Sequence, residues 1–246
     1  MNNVIVVASG KGGTGKSTVA VSLAAAFVKM NRRVLLIDCD SGMRGLDLML
    51  DVESEILFDC ADAVRGNCRS SEAVYRSRNL EGLSLMAAPF STDNEISPSV
   101  FRQLVDEIRP GYDYVIVDSP AGLGSGLATA AAPADRALIV TNAEPVSLRG
   151  AVKLRHRLVE LGVPDIRLVI NRFDRRQFNA LGRYNDLDEV IDIIGAQLIA
   201  LVPYDPVLSA VMQNGRVGLS FTPADNVFNC LALRLEGCRL PLAFRG

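Results

Sequence analysis

Ser9-Gly10-Lys11-Gly12-Gly13-Thr14-Gly15-Lys16-Ser17-Thr18 follows directly on the apolar run Val4-Ile5-Val6-Val7. Gly10, Gly15, Lys16 and Ser17 meet the GxxxxGK[ST] template of a phosphate-binding loop. Glycines let the backbone turn tightly enough to aim successive N–H groups at phosphate oxygens, and the N-terminus of a following helix adds positive charge. Lys16 suits the β- and γ-phosphates, and the Ser17 hydroxyl suits Mg²⁺. The template needs a strand before it and a helix after it. Both are present, because Val19-Ala20-Val21-Ser22-Leu23-Ala24-Ala25-Ala26-Phe27-Val28 reads as a buried helix.

Working outward, apolar runs near 3–8, 33–37, 83–87, 113–118, 136–141, 166–171 and 197–202 alternate with helical patterns near 16–30, 97–109, 146–161, 186–194, 205–213 and 224–236. That alternation predicts an α/β fold, with a mostly parallel sheet of about seven or eight strands covered by helices on both faces. The 246 residues are 49% hydrophobic, enough for one well-buried core, and no Pro/Gly/Ser-rich linker divides them. A single P-loop domain over 1–246 is expected, with 237–246 as a short C-terminal tail.

Two further strands end in carboxylates. Val34-Leu35-Leu36-Ile37 runs into Asp38-Cys39-Asp40-Ser41-Gly42-Met43-Arg44-Gly45-Leu46-Asp47-Leu48, and Tyr114-Val115-Ile116-Val117 runs into Asp118-Ser119-Pro120-Ala121-Gly122. Carboxylates just beyond the C-terminal ends of parallel strands stand where such sheets bind ligands, and they can serve a metal and a water. Asp118 fits the Walker B position, and Pro120 and Gly122 would shape a switch loop beside it.

Lys11 is one lysine more than the nucleotide alone requires. Lys-Gly-Gly-Thr-Gly-Lys-Ser-Thr resembles the deviant Walker A motif of the MinD/ParA family of ATPases, and the stretches after Asp38 and Asp118 resemble its MinD branch. The resemblance implies an ATP- and Mg²⁺-dependent homodimer in which Lys11 crosses to the partner's nucleotide, so that nucleotide state and dimerisation become one event. It further implies that Asp40 positions the attacking water, that Asp38 and Asp118 serve Mg²⁺ with Ser17, and that Gly10 to Thr18 cradle the phosphates. The expected output is regulation of a protein partner, MinC- or MinE-like, in septum placement. ParA-like positioning of DNA or protein cargo is the alternative. A metabolic P-loop enzyme is disfavoured, because no insertion offers an acceptor-substrate site.

The base site is less sharply written. Leu168-Val169-Ile170-Asn171 is followed by Arg172-Phe173-Asp174, close to the Asn-Lys-x-Asp that reads guanine. The motif lacks its lysine, and the family resemblance implies adenine, with Asn171 and the loop Pro203-Tyr204-Asp205 at the base.

Cys39, Cys60, Cys68, Cys230 and Cys238 are an odd, scattered set with no signal peptide ahead of the first strand, which suits reduced thiols in a cytoplasm. Iron–sulfur relatives with the same loop need a Cys-x-x-Cys or a central cysteine pair, and neither spacing occurs. His156 lacks nearby partners in the sequence and reads as a helix-surface residue. Arg172, Arg175, Arg176 and Arg183 form a local basic cluster, yet a net charge of −2 argues against nucleic acid as the main partner. In the tail, Pro241 obstructs a helix and Leu240, Leu242 and Phe244 alternate with period two, so no amphipathic membrane anchor is expected there. Contact with a membrane is expected only through a partner.

Overall fold

A computed structural model describes residues 3–41, 44–90, 96–218 and 222–242. Its centre is an eight-stranded sheet made of β1 (Val4–Ala8), β2 (Val34–Asp38), β3 (Val74–Arg76), β4 (Leu83–Met86), β5 (Tyr114–Asp118), β6 (Arg136–Thr141), β7 (Asp165–Phe173) and β8 (Gln197–Pro203). The strand order is β3-β4-β2-β5-β1-β6-β7-β8. All neighbours run parallel except β3 against β4.

Each central strand is an unbroken aliphatic run because both faces of the sheet are covered. Successive residues then alternate between two cores. Ile5, Val7, Val34, Leu36 and Ile116 belong to one, and Val4, Val6, Leu35, Ile37, Val115 and Val117 to the other. On the first face lie α1 (Lys16–Lys29), α9 (Pro206–Gln213) and α10 (Asp225–Leu235). On the second lie α3 (Cys60–Arg65), α4 (Pro98–Ile108), α5 (Ser125–Ala131), α6 (Pro145–Glu160) and α8 (Leu187–Ile194). The short α2 (Leu46–Met49) follows β2, and α7 (Arg175–Leu181) follows β7.

Local chemistry starts several of these helices. Asp59 caps α3 by accepting from the N–H groups of Ala61 and Asp62, while Asp62 reaches back to the Asp59 N–H, a reciprocal box that satisfies orphan donors. Ser97 followed by Pro98 opens α4. α1 is different: its N-cap is Gly15 with no side-chain cap, and its buried stretch from Val19 to Phe27 anchors it against the sheet and α10. The N-terminal N–H groups of α1 therefore remain available to a ligand.

Register decides where the ends of these elements meet. Asp38 of β2 and Val7 of β1 both pair with Asp118 of β5, so the loop after β1 and both terminal carboxylates share the C-terminal edge of the sheet. The tail from Gly237 to Leu242 forms no helix, and 243–246 lie outside the described residues, as do Gly42 and Met43 of the β2–α2 loop.

Candidate functional site

Gly10 enters the loop pressed against α6, where a Cβ in its place would fall 2.3 Å from the Gly150 carbonyl oxygen. Gly15 leaves it at φ +85°, and a Cβ there would fall 2.3 Å from Asn171 Nδ2. No L side chain suits either position. Asn171 is buried and donates from Nδ2 to the Thr14 carbonyl at 2.8 Å, and Arg172 donates from Nη1 to the Gly13 carbonyl at 3.0 Å. Arg172 holds φ +53° to do so. The end of β7 is thus stitched to the loop. Gly12 and Gly13 are exposed, Thr14 is buried with no partner for its hydroxyl, and Thr18 is half-buried in the first turn of α1.

Lys16 is also buried, and its Nζ lies 2.6 Å from Asp118 Oδ1 and 3.4 Å from Ser17 Oγ. Burial pushes the Asp118 carboxyl pKa above its ordinary value, against the pull of Lys16 and the nearby Ser17 hydroxyl. Its second oxygen, Oδ2, is buried without a hydrogen-bond partner. Asp38, next to it across the strand pair, accepts from the N–H groups of Asp40 at 2.8 Å and Leu46 at 3.4 Å. Burial first and the Asp118 charge second push Asp38 up to about 7. Two buried carboxylates with raised pKa values, one of them with an orphaned oxygen, form a site that a cation would relieve. Among the described residues no three His, Cys, Asp or Glu side chains form a metal-holding group. This donor set suits Mg²⁺, which keeps waters and phosphates and takes only one or two carboxylates.

Asp40 is half-buried beyond Asp38, on a cavity of about 530 Å³ that Pro120, Ser125 and Cys39 also line. The loop after β5 reaches the same space, and Gly122 donates its N–H to the Ser9 carbonyl at 2.9 Å. Burial raises the Cys39 and Cys60 thiol pKa values, that of Cys60 to about 12, so both stay protonated.

Lys11 faces the other way. It is exposed, and its nearest acidic group is Glu144, just before α6, at 3.8 Å. Beside it opens a cavity of about 640 Å³ bounded by Glu144, Arg172, Asp174, Phe178 and Tyr204. Pro203 ends β8 close by and is half-buried. Asp174 accepts from the Gln177 N–H as the N-cap of α7. Asp205 is buried; Oδ1 accepts from Val207 and Leu208, and Oδ2 from Ala224. Its carboxylate serves the start of α9 and the Ala224 N–H.

The structure adds residues the motifs did not single out. Arg44, at φ +40°, stacks its guanidinium 3.8 Å from the Phe90 ring centroid and pairs with Asp47 at 3.0 Å, bracing the loop that carries Asp40. Glu144 borders the loop from a position far away in sequence, and no local signal announces it.

The AAA domain family matches residues 2–163. The septum site-determining protein MinD of Thermotoga maritima is 35% identical over 98% of this chain and 91% of its own length. Among solved structures, the MinC:MinD cell division protein complex of Aquifex aeolicus superposes with a TM-score of 0.88 at 32% identity, covering 98% of both chains. The MinD of Pyrococcus horikoshii complexed with Mg-ADP gives 0.83 at 26% identity, covering 96% of both.

Proposed function

Starting from a chain that belongs to the MinD family of P-loop ATPases, we propose that it binds ATP–Mg²⁺ and dimerises with the nucleotide between subunits. Hydrolysis then switches its hold on a regulatory partner in septum placement. The observation that carries this reading is the division of labour between two lysines of one loop: Lys16 is buried against Asp118, whereas Lys11 stands exposed away from it.

In this reading the backbone N–H groups from Gly10 to Thr18 cradle the phosphates. A triphosphate draws Lys16 from Asp118 and so frees that carboxylate. Ser17, Asp38 and Asp118 would hold Mg²⁺, which would supply positive charge against the phosphates during transfer. Asp38, whose carboxyl burial raises to about 7, would give up its remaining proton where a cation binds. Asp40 orients the water, which needs little more than in-line placement. Asn171, Pro203 and the backbone at Asp205 border the base. Lys11 reaches the partner subunit's phosphates, so that hydrolysis and dimer opening are linked.

The partner is a MinC- or MinE-like protein, since one of the similar structures is a MinC:MinD complex. The same switch could instead position cargo as ParA proteins do. No helix among the described residues is long and apolar enough to cross a membrane. We place the protein in the cytoplasm, peripheral to the membrane through its partner. Pull-down with a MinC-like and a MinE-like partner tests this, each in ATP and in ADP. Capture in ATP alone supports the septum reading, and ATP-dependent DNA binding without such capture would replace it with the cargo reading.

A further inference from the structure

The N-terminal edge of the sheet, opposite the phosphate loop, carries a second charged site. Register sets Arg136, the first residue of β6, beside Asp165, the first of β7, and sets Arg167 beside Gln197. Asp165 is shared: its Oδ2 accepts from Arg136 Nε at 2.7 Å and its Oδ1 from Arg167 Nε at 2.5 Å. From α10, Arg234 donates to the carbonyls of Ile199 at 3.0 Å, Leu240 at 3.2 Å and Pro241 at 2.6 Å. It thereby clips the tail across the mouth of a cavity of about 330 Å³, to which Arg239 also contributes.

Among the described residues, four arginines and one carboxylate, Asp165, line this space. Arg234 is consumed by carbonyls and serves as a frame. Arg136 is held in part the same way, its Nη1 donating to the Leu235 carbonyl at 3.0 Å, whereas Asp165 takes only Nε from Arg167, and the two side chains remain 22% and 32% exposed. One carboxylate cannot neutralise both, and Arg239 adds a further charge on the exposed rim. A carboxylate that fixes two planar guanidiniums by their Nε atoms pre-orients the remaining N–H groups, with the Arg167 fork turned to grip a phosphate by two parallel hydrogen bonds and Arg136 Nη2 beside it. The cavity is large enough for a small ligand rather than a bare ion.

We propose that Arg136, Arg167 and Arg239 form a binding site for a phosphate-bearing ligand at the foot of the sheet, roofed by the tail and distinct from the nucleotide loop. The phosphate comes either from a small phosphorylated molecule or from a lipid headgroup.

The experiment uses the full chain saturated with ADP–Mg²⁺, which occupies the P-loop. Inorganic pyrophosphate is titrated calorimetrically, and vesicles of phosphatidylcholine with phosphatidylglycerol are tested by co-sedimentation. The variant is Arg167→Gln/Arg239→Gln, which leaves Asp165 paired to Arg136, and Arg69→Gln serves as a distant control. Binding of either probe that weakens about tenfold or more in the double variant but not in the control supports the site. Pyrophosphate alone then assigns a soluble ligand, and vesicles alone a headgroup. Binding of neither probe, or equal binding by the double variant, overturns the proposal. ATPase turnover of the double variant is expected to match the parent, which separates this site from the proposed catalytic one.

Discussion

Lys16 Nζ lies 2.6 Å from Asp118 Oδ1, and the two side chains are 7% and 1% exposed. The loop lysine and the carboxylate that ends β5 neutralise each other in the absence of ligand. Replacing Lys16 by Ala strands Asp118 in a buried site, a change that typically costs about 3–5 kcal/mol near neutral pH. Urea unfolding of nucleotide-free Lys16→Ala should show a loss of that size, shrinking at acid pH where Asp118 takes a proton. Calorimetry on the same variant should show no ATP binding.

Asp38 keeps its proton up to about 7 in the fold, against an ordinary value of 3.8. Between those two pH values the unfolded chain has released a proton that the folded chain still holds. Its contribution to stability is therefore fully present below pH 3.8 and is lost as pH rises through about 7. The melting temperature of the nucleotide-free protein should fall as pH rises from 3.8 to about 7 and level off above that. Asp38→Asn should flatten the fall, and so should Mg²⁺ with nucleotide. An unchanged slope in Asp38→Asn would move the titration to another group.

Asp40 is half-buried on the cavity side of Asp38 and is not part of the Lys16–Asp118 pair. Asp40→Ala should therefore bind ATP–Mg²⁺ within a few-fold of the parent and lose turnover by about a hundredfold or more, since positioning of the water acts in the transition state. Single-turnover kinetics with a separate binding titration distinguishes the two effects. Near-normal turnover would pass the role to Asp38.

Gly10 meets the backbone of α6 at Gly150, and a flexible side chain is not what stands in the way. Gly10→Ala has to push the loop and the helix apart, and overpacking of this kind costs about 1–3 kcal/mol. The nucleotide affinity should fall with the stability, because the same shift misaligns the cradle. Equal stability of the variant and the parent would show that the loop is not seated on α6.

Much of the fold was legible because buried parallel strands are written as uninterrupted aliphatic runs. The predicted strand near 113–118 is β5, and that near 136–141 is β6. β3 escaped, being three residues long and antiparallel at the sheet edge, where neither face imposes a pattern. α2, α5 and α7 escaped because four to seven residues carry too little period to read. α3 left a legible sign in Asp59 and Asp62, three residues apart. At the candidate site, the loop and the strand-end carboxylates were readable from local order, and register brought Asp38 to Asp118. The tethers were not. Asn171 holds Thr14 from 157 positions away and Arg172 holds Gly13 from 159, contacts that only the closed sheet creates. The Asp205 carboxylate starts α9 and also reaches the Ala224 N–H, 19 positions on, a contact that local order does not announce.

The central claim is that Lys11 acts across a dimer held together by ATP. Its most direct test is the solution mass of the slow-turnover Asp40→Ala chain, by size exclusion with light scattering, with ATP–Mg²⁺ and with ADP–Mg²⁺, beside Lys11→Ala/Asp40→Ala. The account predicts a dimer of Asp40→Ala in ATP alone, and a monomer of the double variant that still binds ATP. A dimer that forms equally without Lys11, or a monomer of Asp40→Ala in saturating ATP, would contradict it.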